Sequence, residues 1–101
     1  MLSRTADHLF WMSRYTERAE NTARMLDVNY QTSLLPQSAA SAQAGWQGLL
    51  SISELKPAYA ARHGQAIAAR AVMDFMVKDE GNPSSILACL RAARENARAV
   101  R

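Results

Sequence analysis

The chain has 101 residues, enough for one small domain with a core of limited size. Apolar residues make up 49% of it, which excludes a disordered tail, although many are alanines that favour helix and bury little surface each. The net charge of +3 rests on arginine, with Lys56 and Lys78 the only lysines, a modest excess that suits acidic partners and excludes a polybasic tail.

From about Thr5 to Leu35 there is no proline or glycine, and Leu9, Met12, Thr16, Ala19, Ala23, Leu26 and Tyr30 recur at alternating spacings of three and four. This predicts one face of a long helix ended by Pro36. Residues 36–45 are rich in Ser, Ala and Gln and read as a connection or frayed helix end. A second, shorter helix is expected to hold Trp46, Leu49, Leu50 and Ile52 and to stop near Pro57. Ala58 to Arg62 then form a turn of helix closed by Gly64. The third helix is expected from about Gln65 to Val77, ending in the turn Lys78-Asp79-Glu80-Gly81. For the fourth, Asn82 is a good N-cap and Pro83 suits the first helical position, where its missing N–H costs nothing. Ile86, Leu90, Ala93, Ala97 and Val100 form the expected apolar stripe. No strand-like alternation occurs, so the expected fold is an all-α bundle of about four helices with a long first helix.

The last helix is still in phase at Arg101, with no residue to end it, so the sequence reads as the amino-terminal part of a longer helical domain, cut within its last helix. Its uncovered stripe implies self-association through a second copy. The amino terminus lacks a cationic start followed by an apolar run, and Arg70 and Asp74 interrupt the longest apolar stretch. A lone cysteine, Cys89, cannot form an internal disulfide. The expectation is a soluble cytoplasmic protein with no membrane partner.

Two polar stripes stand out. Arg14, Glu17, Arg18 and Asn21 share one strip of the first helix, with Glu20 and Arg24 beside them, and Arg91, Arg94, Glu95 and Arg98 share one strip of the fourth, with Asn96 adjacent. Such stripes are ordinarily solvated faces laced by weak pairs. Bulky neighbours, Trp11 and Tyr15 before the first stripe and Met25 and Val28 after it, and the use of arginine argue instead for a shared network. In it, Glu17, Arg18, Glu20 and Asn21 would meet Arg94, Glu95, Asn96 and Arg98 between helices.

Specific chemistry is harder to find. Neither His8 nor His63 follows a Glu by three positions, and the arginines oppose a cation, so no metal site is expected. Cys89 between Ala88 and Leu90 reads as a small core residue, and both histidines as surface or capping residues. Met73, Met76 and Trp46 are core candidates. No Gly-rich phosphate loop is present, and no cofactor is expected. Arg91, Arg94, Arg98 and Arg101 could face phosphates, but Glu95 interrupts them, so nucleic-acid binding is expected to be weak, non-specific and removed by salt.

The opening MLSRTADHLFWMSRYTERAENTARMLDV and the later NPSSILACLRAARENARAVR resemble the alpha-E domain, a bacterial helical family without an assigned activity, named for a Glu-Arg motif. On this resemblance the motif is Glu17 and Arg18, and Glu20, Asn21, Arg94, Glu95, Asn96 and Arg98 are neighbouring family positions. Family members are normally longer, and they accompany ATP-grasp ligases and transglutaminase-like proteins. The resemblance thus implies a non-catalytic helical partner or peptide-binding module for those proteins in peptide synthesis or modification. The alternative is an enzyme component whose Glu17 and Arg18 handle a peptide substrate, and a weak nucleic-acid binder is the next.

Overall fold

The computed structural model describes residues 2–64 and 66–100. Among these the chain forms five helices, α1 (Leu2–Ser33), α2 (Ala39–Ile52), α3 (Lys56–His63), α4 (Ala69–Val77) and α5 (Ile86–Ala99), and no strand. The expected all-α bundle with a long first helix is therefore what the residues build. At 1.5 Å per residue, α1 alone is about 48 Å long, and it sets the long axis of a body measuring 56 × 26 × 17 Å. Among the described residues, no helix is long and apolar enough to cross a membrane.

Side-chain size divides the packing in two. Around the carboxyl-terminal half of α1, Leu26 meets Trp46, Leu49 and Leu50 of α2, Tyr59 of α3, and Val72, Phe75 and Met76 of α4. The Tyr59 and Phe75 rings pack edge to face with centroids 5.4 Å apart. Each large side chain buried here contributes about 1.5–3 kcal/mol. Towards the amino terminus α1 packs instead on α5, the most extensive helix pair in the fold. The buried positions there are small, Ala19 and Thr22 on α1 and Cys89 and Ala93 on α5. The helices run antiparallel, since His8 Nδ1 bonds Asn96 Oδ1 at 3.0 Å near one end.

Several boundaries and faces differ from those expected. The buried and half-buried positions of α1 are His8, Met12, Tyr15, Ala19, Thr22, Met25, Leu26, Asn29 and Ser33, whereas Leu9, Thr16, Ala23 and Tyr30 are exposed. Met12, Ala19 and Leu26 belong to both series, so the spacing was right and its phase wrong by part of a turn. The small or polar residues at 8, 19 and 22 lie inside because close approach to α5 needs small ones and because His8 has Asn96 as a partner. On α5 the same reason buries Cys89 and Ala93 and leaves Leu90 49% exposed and Ala97 exposed.

Residues 36–45 are not merely a connection. Ser38, in an extended conformation, accepts a hydrogen bond on its hydroxyl from the Ser41 N–H at 3.1 Å and starts α2 at Ala39, where alanines favour helix. Ile52 falls within this helix as expected but is 77% exposed. The turn after Pro57 is a full helix, α3, with Pro57 in its first turn and Gly64 at its end at φ 77° and ψ −164°, a region open essentially to glycine. The third expected helix begins at Ala69, and Gln65 lies outside the described residues. The expected cap Asn82 is displaced by Ser85, whose hydroxyl accepts from the Ala88 N–H at 3.2 Å. Asn82 is occupied elsewhere: it is buried, donates to the Phe75 carbonyl at 3.0 Å, and accepts from the Ser84 N–H at 3.1 Å.

Candidate functional site

Where the two packing zones meet, a cleft of about 250 Å³ opens beside α1. The α1 wall carries Arg14, Glu17, Arg18, Asn21, Thr22 and Met25, successive positions on one flank of the helix. Opposite it stand Ser53 and Leu55 from the α2–α3 turn, Met76 of α4, and Ser84 just before α5.

The α2–α3 turn is closed by the pair of bonds that ends many helices, Leu55 N–H to Leu50 O at 2.9 Å and Glu54 N–H to Ser51 O at 3.1 Å. Glu54 takes the left-handed conformation at φ 59°, where glycine is usual. That reversal carries Ser53 and Leu55 to the cleft. Ser53 Oγ is buried there and has no hydrogen-bond partner among the described residues, an arrangement that proteins ordinarily avoid.

The charged side chains of the wall differ in how they are paired. Arg14 and Glu17 stand 3.8 Å apart as an exposed pair one helical turn apart. Arg18 has no carboxylate within ion-pair distance among the described residues, and its guanidinium lies 5.6 Å from the Tyr15 ring centroid. Asn21 accepts from Arg24 at 3.2 Å, and Arg24 also pairs with Glu20 at 2.9 Å, outside the cleft.

The stripe of α5 does not join this group. Arg91 pairs with Glu80 in the α4–α5 turn, and Arg94, Glu95 and Arg98 are exposed. Asn96 alone reaches across, to His8, while its amide nitrogen donates to the Ala92 carbonyl at 2.8 Å. The expected network between the two stripes is therefore absent among the described residues. The small-residue seam occupies the space between α1 and α5, and the charges stay outside it, hydrated, which avoids the several kcal/mol that desolvating an ion costs.

Cys89 lies fully buried in that seam, with its thiol 3.6 Å from the Pro83 carbonyl. Burial pushes the thiol above its ordinary value, and the positive charge of Arg18 only partly offsets this. Such a thiol is a core residue rather than an activated nucleophile. Among the described residues, no three His, Cys, Asp or Glu side chains gather as metal ligands. A wider recess of about 430 Å³ between α1 and α2 is lined mainly by carbon, from Met25, Val28, Leu49 and Ile52, with Arg24, Asn29 and Thr32 as its polar residues.

The profile of a family described as an alpha-helical domain with a conserved ER motif, Alpha-E, matches residues 1–101. The chain belongs to the Alpha-E family. Glu17-Arg18 is the only Glu-Arg dipeptide in the sequence, so the motif of this Alpha-E chain falls on the wall of the cleft. Comparison with curated proteins and with solved structures gives no match.

Sequence reasoning missed Ser53 and Ser84 as cleft residues. Nothing in their local spacing marks them, because tertiary packing alone sets them opposite α1. His8, expected to be a surface or capping residue, is half-buried and faces Asn96.

Proposed function

We propose that this Alpha-E chain is a non-catalytic binding module of the bacterial cytoplasm that holds an acidic peptide in the cleft beside Glu17-Arg18. It presents that peptide to ATP-grasp-type ligases and transglutaminase-like proteins in peptide synthesis or modification. The observation that carries the reading is Arg18, which among the described residues has no carboxylate partner, held over Tyr15 at the edge of a cleft that contains the Ser53 hydroxyl, likewise unpaired among them. A carboxylate on Arg18 makes charge-assisted hydrogen bonds in a geometry that a planar guanidinium favours. A peptide amide beside it gives Ser53 the partner it lacks. Glu17, drawn towards Arg14, limits the net positive charge and disfavours polyanions relative to short peptides carrying a few carboxylates.

Binding rather than turnover is favoured because the side chain best suited to attack, Cys89, is fully buried, and that burial disfavours its reactive thiolate form. The experiment is calorimetric titration of the chain with a short glutamate-rich peptide at low and physiological salt. Arg18→Ala should weaken binding by about tenfold or more, the loss of one hydrogen bond to a charged group. Arg94→Ala, on the outer stripe, should leave it unchanged. Equal losses from the two substitutions would mean diffuse attraction and would refute the cleft as the site.

A further inference from the structure

Beyond the cleft, α1 bears an aromatic row for which the core has no use. Phe10 and Trp11 meet edge to face with centroids 5.2 Å apart, and Trp11 lies 5.9 Å from Tyr15. Arg18 then stands 5.6 Å from the Tyr15 centroid. Phe10 is 55% exposed and Trp11 39%. The row leads into the cleft in register: Trp11, Tyr15, Arg18 and Thr22 follow one another at helical spacing, as do Phe10, Arg14, Glu17 and Asn21. It is thus the same flank of α1, polar at the cleft and aromatic one to two turns before it.

The ladder has the dimensions of a short extended peptide. Seven residues of helix separate Arg18 from Trp11, a rise of about 10 Å, and three residues of extended chain cover about the same distance. Exposed aromatic rings hold apolar side chains at low entropic cost because they have few rotatable bonds. A free guanidinium at the end of such a strip selects a carboxylate for its terminus. Resting on the reading of the cleft as a peptide site, we propose that the ligand is the carboxyl-terminal end of an extended peptide. Its terminal carboxylate sits on Arg18, and an aromatic or branched apolar side chain two residues earlier lies on Trp11.

The test is an NMR titration of the whole chain, following the Trp11 indole signal and the backbone signals of Arg18 and Ser53. Trp46 is 3% exposed and its indole provides an internal reference. Four acetylated probes are compared: Phe-Ala-Ala as the free acid, the same peptide amidated, Ala-Ala-Ala as the free acid, and amidated Phe-Ala-Glu, whose only carboxylate is on a side chain. The first should bind about tenfold tighter than its amide, the loss expected for a charge-assisted contact, and tighter than each of the other two. Only the probes with phenylalanine should move the Trp11 indole. Trp11→Ala should abolish the preference for phenylalanine and keep that for the free acid, and Arg18→Ala should do the reverse. Equal binding of acid and amide, equal binding of terminal and side-chain carboxylates, or a phenylalanine preference that survives Trp11→Ala would overturn the inference. Peptides that shift Arg18 and Ser53 with neither preference would leave the cleft as the peptide site and sink this inference alone. If no peptide shifts those signals, both fall. Broadening of the Trp11 signal that grows with protein concentration alone would assign the ladder to a second copy of the chain and would also overturn it.

Discussion

Replacing Asn82 tests how the last two helices are joined. Its amide donates to the Phe75 carbonyl at 3.0 Å and its oxygen accepts from the Ser84 N–H at 3.1 Å, in a side chain that is 1% exposed. The Phe75 carbonyl depends on that donor, because the Asp79 N–H that would serve it in a continuing helix bonds to the Asp74 carbonyl at 3.1 Å. Asn82→Ala loses two hydrogen bonds, each worth about 1 kcal/mol net, and strands a buried carbonyl at a further 1–3 kcal/mol or so. The expected loss is therefore about 3–5 kcal/mol in urea denaturation followed by helical circular dichroism. Asn82→Asp separates the two roles. A carboxylate still accepts from Ser84 but has no proton to give Phe75, so at neutral pH it should destabilise at least as much as alanine. In acid, protonation restores a donor, so the gap to the parent chain should narrow. An aspartate variant within about 0.5 kcal/mol of the parent at neutral pH would show that the Phe75 bond contributes little, and the reasoning would fail.

Arg18→Ala and Arg94→Ala should each cost about 1 kcal/mol or less in stability and should be additive in the double mutant, since neither side chain is buried in a shared network; a large, coupled loss would restore the network the structure lacks. Glu54→Gly should stabilise the chain by roughly 0.5–1 kcal/mol, because it relieves a left-handed residue at φ 59°, and a loss in thermal melting would contradict that account of the α2–α3 turn. Ala93→Leu should destabilise by about 1–3 kcal/mol or more by forcing α5 away from α1, whereas Leu90→Ala, at a 49% exposed position, should cost far less. The Cys89 thiol is held above its ordinary value of 9.0, so the unfolded chain ionises it first. Its contribution is whole below that value and is lost as pH rises beyond it, and urea midpoints measured between pH 8 and 10 should fall more steeply for the parent than for Cys89→Ala.

The fold class was legible because helix periods, proline positions and alanine content all agreed, and the family resemblance rested on contiguous residues. Faces were legible only where large residues decided them. Trp46 and Met76 lie in the core as expected, and Met73 is half-buried against it. The α1–α5 seam was misread because two small-residue helices bury alanine, threonine, cysteine and a paired histidine, residues whose side chains give little hydrophobic signal. The α1 half of the candidate site was visible as a stripe of charge. Its other half comes from Ser53 and Ser84, brought in by a left-handed turn at a glutamate and by an asparagine engaged with an earlier helix, and neither leaves a periodic trace. The two polar stripes that suggested a network do not pair with each other: that of α1 lines the cleft and that of α5 is exposed, since matching residue types say nothing about which flank faces the partner helix.

The seam between α1 and α5 also bears on the order of folding. His8 and Asn96 are 88 positions apart, and forming such a contact requires closing most of the chain into a loop, whose entropic cost exceeds that of the short loops elsewhere in the fold. The cluster built from Trp46, Tyr59 and Phe75 needs only short loops and can form while the amino-terminal half of α1 is still without a partner. Docking of α5 should then be the last event. Because its N-terminal approach supplies Ser84 to the cleft, the cleft is completed only when that final helix arrives, and a transient folding species with helices but no peptide affinity should precede it.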